Sequence, residues 1–172
     1  MTGAATVLVI SGSMGSGKTT VLGEASDLLR AADIPHAGID FDAISIRYVP
    51  REVGDELAYR NIASVWANYA TCGIDRLLIA TAVATPETHA AIQRATRASE
   101  IIVCRLRAPL ETMQERVRVR EPVSAQAEFV ANVTRLEAQL DEHGVEDFAL
   151  DNGRCSATTV ARQMLIHAGW LR

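Results

Sequence analysis

The chain has 172 residues, 48% apolar and 22% charged, with 17 basic against 21 acidic side chains and a formal net charge of -4. That length gives the expectation of one compact domain over residues 1–172, and the composition excludes disordered and fibrous classes. The acidic balance argues against a sequence-independent nucleic-acid binder, which needs a basic surface to displace counterions from phosphates.

The strongly apolar run Val7-Leu8-Val9-Ile10 reads as a buried parallel strand, and it is far short of the roughly 20 residues that cross a bilayer. With no basic leader or long apolar segment near the start, the expectation is a cytoplasmic protein without membrane contact. A Gly/Ser cluster over residues 11–17 follows, and then Val21, Leu22, Ala25, Leu28 and Leu29 recur at helical spacing to about Ala32. A second strand is expected near residues 37–41, ending in Asp40-Phe41-Asp42. Leu57, Asn61, Ile62, Val65, Trp66 and Tyr69 mark a helix face closed by Gly73. A third strand is expected over residues 76–83. Thr85 then caps a helix that has Pro86 at its first position.

Residues 101–106 make a fourth strand, and Pro109 opens an Arg-rich helix to about Glu121. Pro122 separates this from a second helix with Phe129, Val130, Val133, Leu136 and Leu140 inward, closed by Gly144. Phe148-Ala149-Leu150 is the fifth strand, and a last helix begins near Ser156 or Thr158 and ends at Gly169. Strands alternating with helices define an α/β fold, a five-stranded parallel sheet covered on both faces. Ligands in such folds bind beyond the carboxyl ends of the strands, so chemistry is expected at residues 11–20, 40–42, 83–85, 107 and 151–154.

Gly12-Ser13-Met14-Gly15-Ser16-Gly17-Lys18-Thr19 matches the phosphate-binding loop G-x-x-x-x-G-K-[ST], set between a strand and a helix as that motif requires. Its glycines let backbone N–H groups and the helix N-terminus, as far as Thr20, face phosphate oxygens. Lys18, the sole lysine among the 17 basic residues, supplies a point charge near the β and γ phosphates, and the Thr19 hydroxyl is a Mg²⁺ ligand. Asp40 and Asp42 are expected at the same sheet edge, on one face if the strand continues through them. They serve as base or metal carboxylates, or as turn and capping aspartates. The third strand carries no carboxylate of the kind motor and switch ATPases use for the metal.

Arg105, Arg107, Arg116, Arg118 and Arg120 form a locally basic stretch suited to covering phosphates, with Arg116 and Arg120 four apart on one helical face. The bland alternative is a solvated helix with Glu–Arg pairs. Arg47, Tyr59, Arg60, Trp66 and Tyr69 are candidates for an acceptor pocket, with core packing the competing role for the aromatic pair. Cys72, Cys104 and Cys155 are odd in number and widely spaced, as expected of reduced thiols.

The phosphate loop, the Asp-x-Asp after the second strand and Ala108-Pro109-Leu110-Glu111 leading to Arg116 resemble small P-loop kinases of the nucleoside-monophosphate-kinase-like group. Adenylylsulfate kinases, chloramphenicol phosphotransferase-like enzymes and gluconate kinases are the nearest likenesses. The resemblance implies an ATP- and Mg²⁺-dependent phosphotransferase acting on a small-molecule hydroxyl, with Lys18, Asp40, Asp42, Arg116 and Arg120 catalytic and Thr19 with Asp40 at the metal. It also implies an Arg-rich lid at about residues 107–125, and adenine flanked by Asn152, Gly153 and Arg154. Adenylylsulfate kinases continue the Asp-Gly-Asp with asparagine and arginine, whereas Asp42 here precedes Ala43-Ile44-Ser45-Ile46-Arg47, which points to a less anionic acceptor. The expected assembly is a monomer or homodimer. A nucleoside-monophosphate kinase using Arg47, Arg51 and Arg60, and a non-catalytic nucleotide-binding regulator, are the alternatives.

Overall fold

The structure is a computed structural model that describes residues 5–46 and 51–172. Five strands, β1 (Thr6–Ser11), β2 (Ala37–Asp40), β3 (Arg76–Ala80), β4 (Glu100–Arg107) and β5 (Phe148–Asp151), pair in the order β2-β3-β1-β4-β5. All four pairings are parallel. β1 is the central strand, and its Val7, Leu8, Val9 and Ile10 are fully buried. A central parallel strand has helices over both faces, so it reads as unbroken aliphatic sequence rather than as an alternating one.

The two faces of the sheet hold two cores. On one, α1 (Lys18–Ala31) and α7 (Ala157–His167) bury Val21, Ala25, Leu29, Val160, Met164 and Leu165 against Leu8, Ile10, Cys104 and Leu106. On the other, α3 (Arg51–Thr71) and α4 (Pro86–Thr96) bring Ile62, Trp66 and Ile92 to Val7, Val9, Ile39, Ile79 and Val103. After β4 the chain forms a hairpin of α5 (Leu110–Arg120) and α6 (Gln126–His143). Its own small core is Met113, Val117 and Val133, with Met14 of the phosphate loop packed on it. The hairpin therefore rests on the loop as well as on the sheet.

At the ligand-facing edge, β2 and β3 both stop short of the sequence-based expectation. β2 stops at Asp40 because that carboxylate turns back to accept from the Asp42 and Ala43 amides at 3.1 and 3.4 Å, capping the short helix α2 (Phe41–Ile44). Asp42 is thus a helical residue, and the expectation that strand pleating places it on the same face as Asp40 is corrected. β3 stops at Ala80, short of the expected residue 83. The Ser11 hydroxyl accepts the Val83 amide at 3.0 Å, which leads the chain out of the ladder toward α4. α3 is also longer at its start than the apolar face suggested, because no proline interrupts residues 51–71.

Candidate active site

The phosphate loop follows β1 directly and opens α1 with Gly17 in the left-handed region at φ 97°. Gly15 is also left-handed at φ 75°, and a β-carbon there would collide with the Met113 carbonyl of α5. At both positions a side chain is excluded twice, by backbone conformation and by a neighbour, since a β-carbon on Gly17 would meet the Asn152 amide. Within the loop the Ser13 carbonyl accepts from the Ser16 amide at 3.2 Å and from Lys18 Nζ at 3.1 Å. The Ser13 hydroxyl donates to the Val133 carbonyl of α6 at 3.1 Å. Ser16 Oγ is buried with no hydrogen-bond partner among the described residues, an arrangement that costs free energy unless a polar ligand completes it.

Burial pushes the Lys18 ammonium below the ordinary lysine range, with Arg120 adding to that effect while Asp42 and Asp40 work against it. A cation held in this way is under-neutralised by protein groups, which suits it to a phosphate. One residue on, the Thr19 hydroxyl donates to Asp40 Oδ2 at 2.7 Å. Asp40 thereby serves both elements, since Oδ1 caps α2 and Oδ2 reaches α1. Asp42 is exposed on α2. The Thr19–Asp40 pair offers the hard oxygen donors Mg²⁺ prefers, in the small number that lets the ion keep its waters. No cluster of three or more His, Cys, Asp or Glu side chains suited to a metal occurs among the described residues.

Arg116 of α5 donates to the Gly15 carbonyl at 3.0 Å and to the Asn152 carbonyl at 3.4 Å, joining the loop to the β5–α7 segment. Asn152 is buried, and its side-chain amide donates to the Ser16 carbonyl at 2.6 Å. Its backbone amide donates to the Arg107 carbonyl at 2.7 Å. Gly153 is held against Pro109, where a β-carbon would clash, and Arg154 is exposed. Arg120 donates to Glu121 at 2.7 Å, and Arg118 pairs with Glu115 at 3.3 Å. The view of the basic stretch as a cover for phosphates is corrected for Arg105, which is 1% exposed and paired with Glu137, Asp141 and Glu146. The neutralising acids come from 32 to 41 residues further along the chain, where local composition does not register them.

Of the acceptor candidates, Tyr59 and Arg60 line a cavity of about 670 Å³ between α3 and α4, together with Glu56, Glu87, Thr88 and Arg94. Tyr59 also packs its ring on Phe41 of α2, with centroids 5.5 Å apart, and Asn61 donates to the Ile44 carbonyl at 2.9 Å, so Tyr59 stands between this cavity and the helix that Asp40 caps. Trp66 is instead part of the α3–sheet core, and Tyr69 is exposed; neither lines the cavity. Arg47 lies outside the described residues, as does the side chain of Arg51. Sequence reasoning missed Glu87 and Thr88, although the Thr85-Pro86 cap was a signal that the next turn faces the site edge. The first turn of α4 and the Thr85 hydroxyl hold the Glu87 carboxyl below its usual range.

No protein-family model matches the chain, and no curated protein sequence matches it either. Solved structures do match its fold. The tunicamycin resistance protein of Deinococcus radiodurans aligns at 14% identity over 98% of this chain and 97% of that one, with a TM-score of 0.67. The APS kinase of Mycobacterium tuberculosis, solved with AMPPNP and APS, aligns at 16% identity over 96% and 98%, with a TM-score of 0.64. Shikimate kinase of Acinetobacter baumannii, solved with shikimate, aligns at 20% identity over 99% and 97%, with a TM-score of 0.56. The likeness is one of fold: a five-stranded parallel sheet between helical layers, with the G-x-x-x-x-G-K-[ST] loop after its central strand.

Proposed function

We propose that the protein is a P-loop phosphotransferase that moves the γ-phosphoryl group of ATP to a hydroxyl of a small molecule. The observation that carries this reading is the 2.7 Å contact between the Thr19 hydroxyl and Asp40, which brings a carboxylate to the mouth of the phosphate loop. Backbone N–H groups of residues 13–19 and the Lys18 ammonium hold the phosphate oxygens, and the buried Ser16 hydroxyl is a further donor within the loop. Thr19 and Asp40 are the residues that would hold Mg²⁺, which when bound neutralises charge on the β and γ phosphates. Asp40, with Asp42 two residues further on, accepts the proton of the acceptor hydroxyl as that hydroxyl's oxygen bonds to phosphorus and the bond to the ADP oxygen breaks. Arg116, between Gly15 and Asn152, positions the nucleotide where the β5–α7 loop flanks its base, and Arg120 faces charge at the transferring phosphoryl group.

The acceptor lies on the α2–α3 side, over Phe41 and Tyr59 and toward the cavity with Arg60 and Thr88. Its charged lining is balanced, with Glu56 and Glu87 against Arg60 and Arg94. This favours a neutral or zwitterionic acceptor over a nucleoside monophosphate, whose dianion calls for a net basic site. The test is Mg²⁺-dependent ADP release across a panel of nucleosides, nucleotides, sugars, adenylylsulfate and hydroxylated antibiotics, with Lys18→Ala as control. Acceptor-stimulated release that vanishes in the control supports the assignment. ATP binding with no stimulation by any acceptor overturns it in favour of a non-catalytic nucleotide-binding protein.

A further inference from the structure

The α5–α6 hairpin is fastened to the sheet by charge. Arg105 of β4 is 1% exposed; its Nη2 lies 2.8 Å from Glu137 Oε2, and its Nη1 lies 2.8 Å from Asp141 Oδ1 and 3.4 Å from Glu146 Oε1. Arg107 adds a 3.1 Å contact to the same Glu146 oxygen. Hydrogen bonds and charge from Glu137 and Asp141 hold the Arg105 guanidinium above its ordinary range despite the opposing cost of burial. The cluster is nevertheless incomplete, because Arg105 Nε and Glu137 Oε1 are buried without partners among the described residues. An aliphatic residue would fill the same space without that desolvation cost, so the cluster is a poor device for stability alone.

Its position suggests what it does. Arg105 pairs in register with Ser11, the last residue of β1 before the phosphate loop. On α6, Val133, Glu137 and Asp141 are spaced four apart and share one helical face. The Val133 carbonyl is the acceptor of the Ser13 hydroxyl, and the Ser13 carbonyl in turn accepts from Lys18 Nζ and the Ser16 amide. A continuous path thus runs from the Arg105–Glu137 ion pair, along one turn of α6, through Ser13, to the lysine. From this geometry we infer that Arg105 and Glu137 are positioning residues for nucleotide binding. Their ion pair sets the height of α6 over the sheet, and the Val133 carbonyl transmits that height to the first turn of the phosphate loop. The inference rests on the reading of that loop as a nucleotide site.

The test is calorimetric titration of the full chain with ATP and Mg²⁺, alongside the thermal midpoint, for Glu137→Gln, Ser13→Ala and their combination, and for Arg105→Lys and Arg105→Met. Glu137→Gln keeps the size of the side chain and removes its charge; its expected effect is about a tenfold loss of ATP affinity in a folded protein. Ser13→Ala weakens binding similarly, and the double variant binds no worse than about twofold below the weaker single one, because both act on one path. Arg105→Lys recovers most of what Arg105→Met loses. Should Arg105→Met not fold, the Glu137–Ser13 cycle decides by itself. Wild-type affinity in Glu137→Gln, or losses that multiply in the double variant, overturns the positioning role while leaving the nucleotide site intact. Wild-type protein that binds no ATP brings down both.

Discussion

The two ends of the ligand-facing sheet edge are built on different principles. At the proposed nucleotide end, α5, α6 and the β5–α7 segment, all distant in sequence, meet the phosphate loop and one another through four hydrogen bonds. They are Ser13 to Val133, Arg116 to Gly15, Arg116 to Asn152 and Asn152 to Ser16. Three loop glycines, Gly12, Gly15 and Gly17, have no room for a side chain. At the proposed acceptor end, a four-residue helix packs on α3, with the Phe41–Tyr59 ring contact and the Asn61 to Ile44 hydrogen bond between them, and Tyr59 in turn lines an open cavity with exposed charges. A loop so closely fastened suits a ligand part that never varies, the triphosphate of the proposed nucleotide. A surface of interchangeable side chains suits one that differs from enzyme to enzyme on a shared fold.

Asp40 joins the two ends, so the largest effect is expected there. Asp40→Asn keeps a good helix cap for α2 and an oxygen that can face the metal, but removes the proton acceptor proposed above. Turnover should fall by about 100- to 10,000-fold, with ATP binding and the thermal midpoint close to wild type. Equal losses of binding and turnover would mean that Asp40 belongs to the nucleotide end alone. Next comes Gly15→Ala, which forces a β-carbon into the Met113 carbonyl at a left-handed backbone position. It should cost about 1–3 kcal/mol in chemical denaturation and weaken ATP binding, without altering discrimination among acceptors. A change in acceptor preference would show that the ends are coupled more tightly than the hydrogen bonds indicate.

The same contrast explains what could be read in the sequence. The strand–loop–helix around residues 12–19 was legible because its signal is local, a fixed spacing of glycines, lysine and threonine between an aliphatic run and a helical one. The sheet was legible because buried parallel strands are continuous aliphatic runs. Asp40 was legible as a residue, but the end of β2 was not, since the capping that starts α2 competes with strand propagation and both suit an aspartate. Arg105 was misread because its neutralising acids arrive from α6 through tertiary packing. Trp66 and Tyr59 occupy the same helix, yet one is in the core and the other borders the cavity. Only the packing of α3 against the sheet and α4 separates them.

Lys18 gives an intermediate effect through pH. Its pKa is lowered chiefly by burial, so the folded state binds fewer protons than the unfolded chain once pH exceeds the folded value. The penalty of a buried ammonium is present at lower pH and is relieved as pH rises from the folded toward the unfolded pKa. ATP binding has the opposite dependence, since it needs the ammonium. Affinity should therefore begin to fall at a pH below that of an ordinary lysine, with proton uptake on binding in that range. Lys18→Arg stays charged and should lack this alkaline limb, whatever its affinity; a limb that persists in the variant would locate the titration elsewhere.

The smallest effect is expected at Arg60, exposed on α3 and lining the cavity. Arg60→Ala removes a solvent-screened charge, for which the acceptor KM should change by only about two- to fivefold, with ATP affinity and kcat unchanged. A balanced lining makes a sharper demand when Glu87→Gln is added, because the two cavity charges have opposite signs. For a zwitterionic acceptor both substitutions raise KM. For a cationic one, Glu87→Gln raises it and Arg60→Ala lowers it; for an anionic acceptor the two responses reverse. The signs of two small changes thus read the acceptor's charge at the end of the molecule where sequence and backbone geometry say least.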